Sequence, residues 1–193
     1  MRKLLLVFLC LFFLLPLGAQ DPVFSQFYAA PLRLNPAFAG IGTAPRIVAN
    51  YRAQHTSYPS AYTTMAASYD QPIEGTPSAF GIRMMNDVQL DGAYKNTEFA
   101  VVYSYDVMID RETHVRLGLA AGILSTALDY NSLVFGDVLD PVNGNTGAIT
   151  AEQIAGVTKT SADFGAGVLF SARNFFGGVS FDHLNRPDES LFE

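Results

Sequence analysis

From Ile47 onward the chain alternates apolar residues with small or polar ones at a period of two, and this pattern limits its fold more than any other feature. A period of two places successive side chains on opposite faces of an extended strand. Read this way, the sequence divides into seven strand segments separated by turn residues. In Ile47 to His55, Ile47, Ala49, Tyr51 and Ala53 share one face, and Val48, Asn50, Arg52 and Gln54 the other; the second segment runs from Ala61 to Asp70. Phe80, Ile82 and Met84 alternate with Gly81 and Arg83 in the third. The fourth sets Phe99, Val101, Tyr103, Tyr105 and Val107 against Ala100, Val102, Ser104 and Asp106. The fifth sets Val115, Leu117, Leu119, Ala121 and Ile123 against Arg116, Gly118, Ala120 and Gly122. The last two form a hairpin, Phe164, Ala166, Val168 and Phe170 opposing Asp163, Gly165, Gly167 and Ser171, then Phe175, Val179 and Phe181 opposing Gly178, Ser180 and Asp182.

Two kinds of protein use such strands. A soluble β-sandwich alternates with its apolar face inward, and a transmembrane barrel alternates with its apolar face toward lipid. Composition favours the barrel: 49% of residues are hydrophobic and only 16% charged, against about 25% charged in an average soluble domain. Beyond residue 17 no uninterrupted apolar run approaches the roughly 20 residues of a membrane helix, which excludes a helical bundle. The fourth and fifth segments exceed the about 5 or 6 residues of a typical soluble strand and suit the roughly 9 to 11 of a membrane-crossing one. Their second face, of Gly, Ala and Ser with single charges, suits a crowded or watery interior. The expected fold is all-β, an antiparallel outer-membrane barrel with Val101 and Leu117 toward lipid and Arg116 toward the lumen. On that register Leu117→Arg should impair assembly far more than Gly118→Ser.

Residues 1–19 read as an export signal, with Arg2 and Lys3 as the positive region, Leu4 to Leu15 as the apolar stretch and cleavage near Gln20. Cys10, the only cysteine, lies inside that signal, leaving no thiol or disulfide in the mature chain. Loss of Arg2 and Lys3 reduces 12 basic residues to 10 against 18 acidic ones, a mature net charge of −8. Nucleic acid is a poor partner for such a surface.

Barrels of this type have short periplasmic turns and longer extracellular loops. With the N-terminus periplasmic, the short turns Gln71 to Thr76, Asp110 to Thr113 and Arg173-Asn174 fall on the periplasmic side, and the long connection Asp129 to Thr160 falls outside the cell. An odd count of seven leaves two sheet edges unpaired in lipid, where unsatisfied backbone groups are costly. The expectation is therefore that residues 47–193 form part of a larger barrel.

No pattern of catalytic residues emerges. His55, His114 and His183 fall at strand ends without paired ligand spacing, so no metal site is assigned. Asn143 to Ile149 superficially resembles a calcium loop, but with Gly147 at the turn position, Val142 takes the first ligand place and Gln153 that of the bidentate Glu. Gly165-Ala166-Gly167 and Gly177-Gly178 lie in strands rather than before a helix, so they are not phosphate loops. No nucleophile-elbow sequence is present. The expectation is a protein that is not an enzyme and carries no cofactor.

Two groups stand out as candidate functional residues. Arg52, Arg83, Asp106, Arg116, Asp163 and Asp182 fall on the inward face with mixed sign, either as lumen salt bridges or as a ligand surface. The segment 20–46 does not alternate, contains Pro22, Pro31, Pro36 and Pro45, and carries Phe24, Phe27, Tyr28 and Phe38. Because aromatics favour burial, this periplasmic or luminal segment reads either as a plug in the barrel mouth or as an unstructured lead-in.

Gln20-Asp21-Pro22-Val23-Phe24-Ser25-Gln26-Phe27-Tyr28, followed by Leu34-Asn35-Pro36-Ala37-Phe38-Ala39-Gly40, resembles the mature N-terminus of the PorP/SprF family, outer-membrane proteins of the type IX secretion and gliding machinery of Bacteroidota. Tyr51-Arg52-Ala53-Gln54 is similar to the family's Tyr-Arg-x-Gln element, with His55 where Trp is expected. Phe80-Gly81 with Asn86-Asp87, Ser104-Tyr105, Leu117-Gly118-Leu119 with Gly122, Phe135-Gly136-Asp137 with Asp140-Pro141, Asp163 to Gly167, and His183-Leu184 with Pro187 resemble later elements in order. The resemblance implies an accessory barrel that helps export or retain secreted adhesins, partnered by outer-membrane lipid, other secretion components and adhesin cargo. It also implies that members continue beyond this point and carry no enzymatic activity. A porin-like diffusion channel is the competing function.

Overall fold

The computed structural model describes residues 22, 24–57, 62–130, 133, 135–140, 144–145 and 156–187. The expected export signal lies outside the described residues, as does most of the 143–149 loop. The strands are β1 (Arg46–Gln54), β2 (Tyr62–Pro72), β3 (Ser78–Gln89), β4 (Tyr94–Met108), β5 (His114–Leu128), β6 (Leu139–Asp140), β7 (Gly144–Asn145), β8 (Val157–Ala172) and β9 (Phe175–Phe181). Seven of them form one antiparallel sheet in the order β1-β2-β3-β4-β5-β8-β9, curled into a half-barrel, while β6 and β7 make a separate short ladder. Among the described residues no helix is long and apolar enough to cross a membrane, and no ladder joins β1 to β9.

The seven sheet strands are those the period-two pattern marks, but several are longer. β4 and β5 each have 15 residues and β8 has 16. The connection expected over 129–160 ends at residue 156, because Val157, Thr158, Lys159 and Thr160 pair with Leu128, Ala127, Thr126 and Ser125. At this end the outward positions are hydroxyl and amide side chains, such as Thr97, Ser125 and Thr160, so apolar alternation stops before the strands do. Connections 73–77, 109–113 and 173–174 lie at one end of the sheet; at the other lie the long one from β5 to β8, the connection from β1 to β2 and the four-residue turn 90–93.

One face of each central strand is exposed and apolar. Met84, Val101, Leu117, Leu119 and Phe164 all show 40% or more of their surface. The concave face is buried beneath residues 24–41. Its core is Leu32 and Ala39 packed on Val102 and Ala120, with Phe38 against them.

The short helix α1 (Pro31–Leu34) and the turn Pro36–Phe38 fold this segment. Proline at the first helical position of each pre-sets φ and costs no hydrogen bond, and the Asn35 side chain accepts from the Ala37 amide at 2.8 Å as the N-cap. Gly40 ends the segment with φ +61°, a left-handed conformation that suits glycine, and an added Cβ there would collide with Ala79. The floor beneath is a row of small residues in register, Ala79, Ser104, Gly118, Gly167 and Ser180. A Cβ on Gly118 would run into the Ala37 backbone, and one on Gly167 into the Asn35 carboxamide. Glycine here serves backbone approach, so Gly118→Ser, expected to disturb assembly less than Leu117→Arg, nevertheless meets the N-terminal segment.

Candidate functional site: a charged interior under the N-terminal segment

Four side chains meet where the N-terminal segment lies on the sheet. Glu98, on β4 and 2% exposed, accepts a hydrogen bond from Arg33 of α1. Its other oxygen forms an ion pair with Arg83 Nε at 3.0 Å without hydrogen-bond alignment. Arg83 donates from Nη1 to the Leu32 carbonyl at 2.9 Å and from Nη2 to Asp182 at 3.3 Å. Two guanidinium groups and two carboxylates thus balance in charge. That matters because an uncompensated ion in a low-dielectric interior is costly.

Two further clusters grip the same segment by its backbone. Asp70, 1% exposed, receives both Arg46 Nε (3.0 Å) and Nη2 (3.1 Å), and also the Gly40 amide at 2.7 Å. Arg46 also donates to the Phe38 carbonyl at 3.1 Å. The Ala39 carbonyl accepts from Ser104 at 2.7 Å and from Arg116 at 3.0 Å, while Arg116 pairs with Asp106 at 3.1 Å. Asn35 then reaches two strands at once, donating to the carbonyls of Val168 (3.3 Å) on β8 and Val179 (3.0 Å) on β9. The segment's Leu-Asn-Pro-Ala-Phe-Ala-Gly sequence therefore supplies small residues for close approach and backbone groups to bond, with Asn35 as its one polar anchor.

The residues singled out from sequence do not form one site. Arg83 with Asp182 and Arg116 with Asp106 belong to two different clusters. Asp163, 3% exposed, pairs with His183 Nδ1 at 2.8 Å, and Arg52 lies on the same face toward the other end of the sheet, opposite Thr64. Of the four aromatics, Phe24 is buried and Phe38 half-buried, its ring 5.8 Å from Phe176. Phe27 and Tyr28 are 54% and 66% exposed and meet each other edge to face. Burial in this segment falls instead to Leu32, Asn35, Pro36, Ala37 and Ala39.

Arg33, Arg46, Asp70 and Glu98 were missed, although three carried a signal. Asp70 and Glu98 have the inward parity of their strands, Glu98 lying one residue before the apolar run that begins at Phe99, and Arg46 lies one residue before Ile47. Arg33 had none, since nothing local pairs it with a strand 65 residues away.

Among the described residues no group of three or more His, Cys, Asp or Glu side chains is placed to hold a metal ion. Beside the segment lies a cleft of about 540 Å³ walled by Phe24, Phe27, Phe38, Leu169 and Phe176, with Arg33 and Asp182 on its rim.

An antiparallel sheet of long strands, apolar on its convex side and packed inside by an internal segment, defines a protein of the transmembrane β-barrel class. The chain belongs to the PorP/SprF family of type IX secretion system membrane proteins, whose family model matches residues 17–193. No curated protein and no solved structure matches it.

Proposed function

We propose that the protein sits in the outer membrane as the plugged part of a barrel, an accessory of type IX secretion that helps export secreted adhesins or retain them at the cell surface. The observation that carries this reading over a porin-like channel is the packing of residues 24–41 into the concave face, with Leu32, Ala37 and Ala39 at 0% exposure. An interior filled by the chain itself suits a docking platform better than free diffusion. The exposed apolar convex face supports lipid as its surroundings. The end bearing connections 73–77, 109–113 and 173–174 then faces the periplasm, as does the start of the 20–46 segment, after removal of residues 1–19. Its partners are other secretion components and adhesin cargo; the mature net charge of −8, 10 basic against 18 acidic residues, argues against nucleic acid, and neither catalysis nor a cofactor is part of this reading.

Affinity capture of the tagged protein from membranes tests it. A secreted adhesin should co-purify, and planar bilayers carrying the protein should show no conductance above background. Stable conductance steps with no secreted protein captured would favour the channel.

A further inference from the structure

We propose that residues 24–41 form a releasable plug, held by a charge latch whose keystone is Glu98. The proposal rests on the plugged-barrel reading and extends it from a fixed filling to a moving part.

Three observations carry it. The first is the floor. Ala79, Ser104, Gly118, Gly167 and Ser180 are all small, the segment's backbone rests directly on Gly118, and Ser104 donates a side-chain hydrogen bond to the Ala39 carbonyl. Large interlocked side chains would have to repack before the segment could leave; a floor of small residues lowers that barrier, leaving Leu32 on Val102 and Ala120 as the main apolar contact to be broken. The second is the room on one side. The cleft of about 540 Å³ opens between residues 24–34 of the segment and β9, so that stretch is loosely packed toward the edge of the sheet, while Asn35 and Phe38 reach across to Val179 and Phe176.

The third is how the charges are shared. Glu98 is the common partner of a cation on the segment, Arg33, and a cation on the wall, Arg83. Buried ion pairs add little net stability over apolar contacts of the same volume, but they are intolerant of losing one member. Neutralising a single charge is therefore enough to unbalance the latch, while the sheet keeps its own ladders. Ion pairs also re-form when the segment returns, together with the Arg83 bond to the Leu32 carbonyl, which is broken and remade with them.

The test uses the full chain in isolated outer membranes, with Cys10→Ala and a reporter cysteine at Ala30, which is 6% exposed and borders open space in the cleft. A maleimide carrying a large polyethylene glycol should label Ala30→Cys slowly. Adding Arg33→Gln should raise the labelling rate at least tenfold, with the protease resistance of the membrane-embedded sheet unchanged, and adding Glu98→Gln should do the same. Equal slow labelling with and without these changes would overturn the latch, the segment being fixed by other contacts. Loss of the sheet's protease resistance in Arg33→Gln would also overturn it, because the segment would then be part of the folding core. Rapid labelling of Ala30→Cys alone would instead overturn the plugged-barrel reading beneath it.

Discussion

Arg83 on β3 reaches Asp182, the residue immediately after β9, at 3.3 Å, although the two strands stand four places apart in the sheet. In a flat sheet, strands spaced about 4.8 Å apart would hold these positions nearly 20 Å from each other. The contact therefore records how tightly the sheet curls, and it closes the concave face over Glu98 and the N-terminal segment. Removing Arg83 should accordingly be expensive. Arg83→Met leaves Glu98 and Asp182 short of a counter-charge and should destabilise the fold by about 3–5 kcal/mol, read as a lower urea midpoint. Arg173→Met, at an exposed pair with Glu112 3.9 Å away, should cost no more than about 1 kcal/mol.

Neighbouring substitutions on β5 should fail in different ways. Leu117 is exposed on the convex face, and Leu117→Arg should cost on the order of 2–4 kcal/mol if that position lies near the bilayer midplane, seen as lost membrane insertion. Gly118→Ser should insert normally, but its side chain meets the Ala37 backbone, so protease should gain access to residues 24–41. Insertion failure in both would mean that the floor and the lipid face are not separable.

Asn35 joins the segment to β8 and β9 and caps its own turn. Asn35→Ala leaves the Ala37 amide and two carbonyls without this partner and should cost about 1–3 kcal/mol. Asn35→Asp restores the cap but not the two donated bonds, so its stability should remain below that of the native protein in thermal unfolding.

In the turn between β4 and β5, Asp110 accepts the Glu112 amide at 2.8 Å, and this bond, with help from Thr113, holds its carboxyl below the usual aspartate range. A depressed folded-state value means that the contribution is present above the unfolded value and fades as pH falls through the folded one. Protection of the Glu112 amide from hydrogen exchange, corrected for intrinsic rate, should therefore fall only in strong acid. In Asp110→Asn it should not change with pH over that range.

Strand number, strand faces and the class of fold follow from sequence alone, because a pleated strand converts parity directly into facing. Leu117 and Arg116 needed no partner to declare opposite sides. Strand ends such as Val157 to Thr160 were hidden, since outward side chains there are polar and the alternation carries no hydropathy signal. The interior was the work of tertiary structure. Whether Phe27 or Leu32 is buried depends on which part of a non-periodic segment meets the floor, and the floor exists only once Gly118 and Gly167 stand side by side in register. Likewise Arg33 and Glu98, 65 residues apart, meet only when the N-terminal segment folds onto the concave face of the sheet. Local sequence fixes direction along a strand; long-range pairing alone decides what lies across from it.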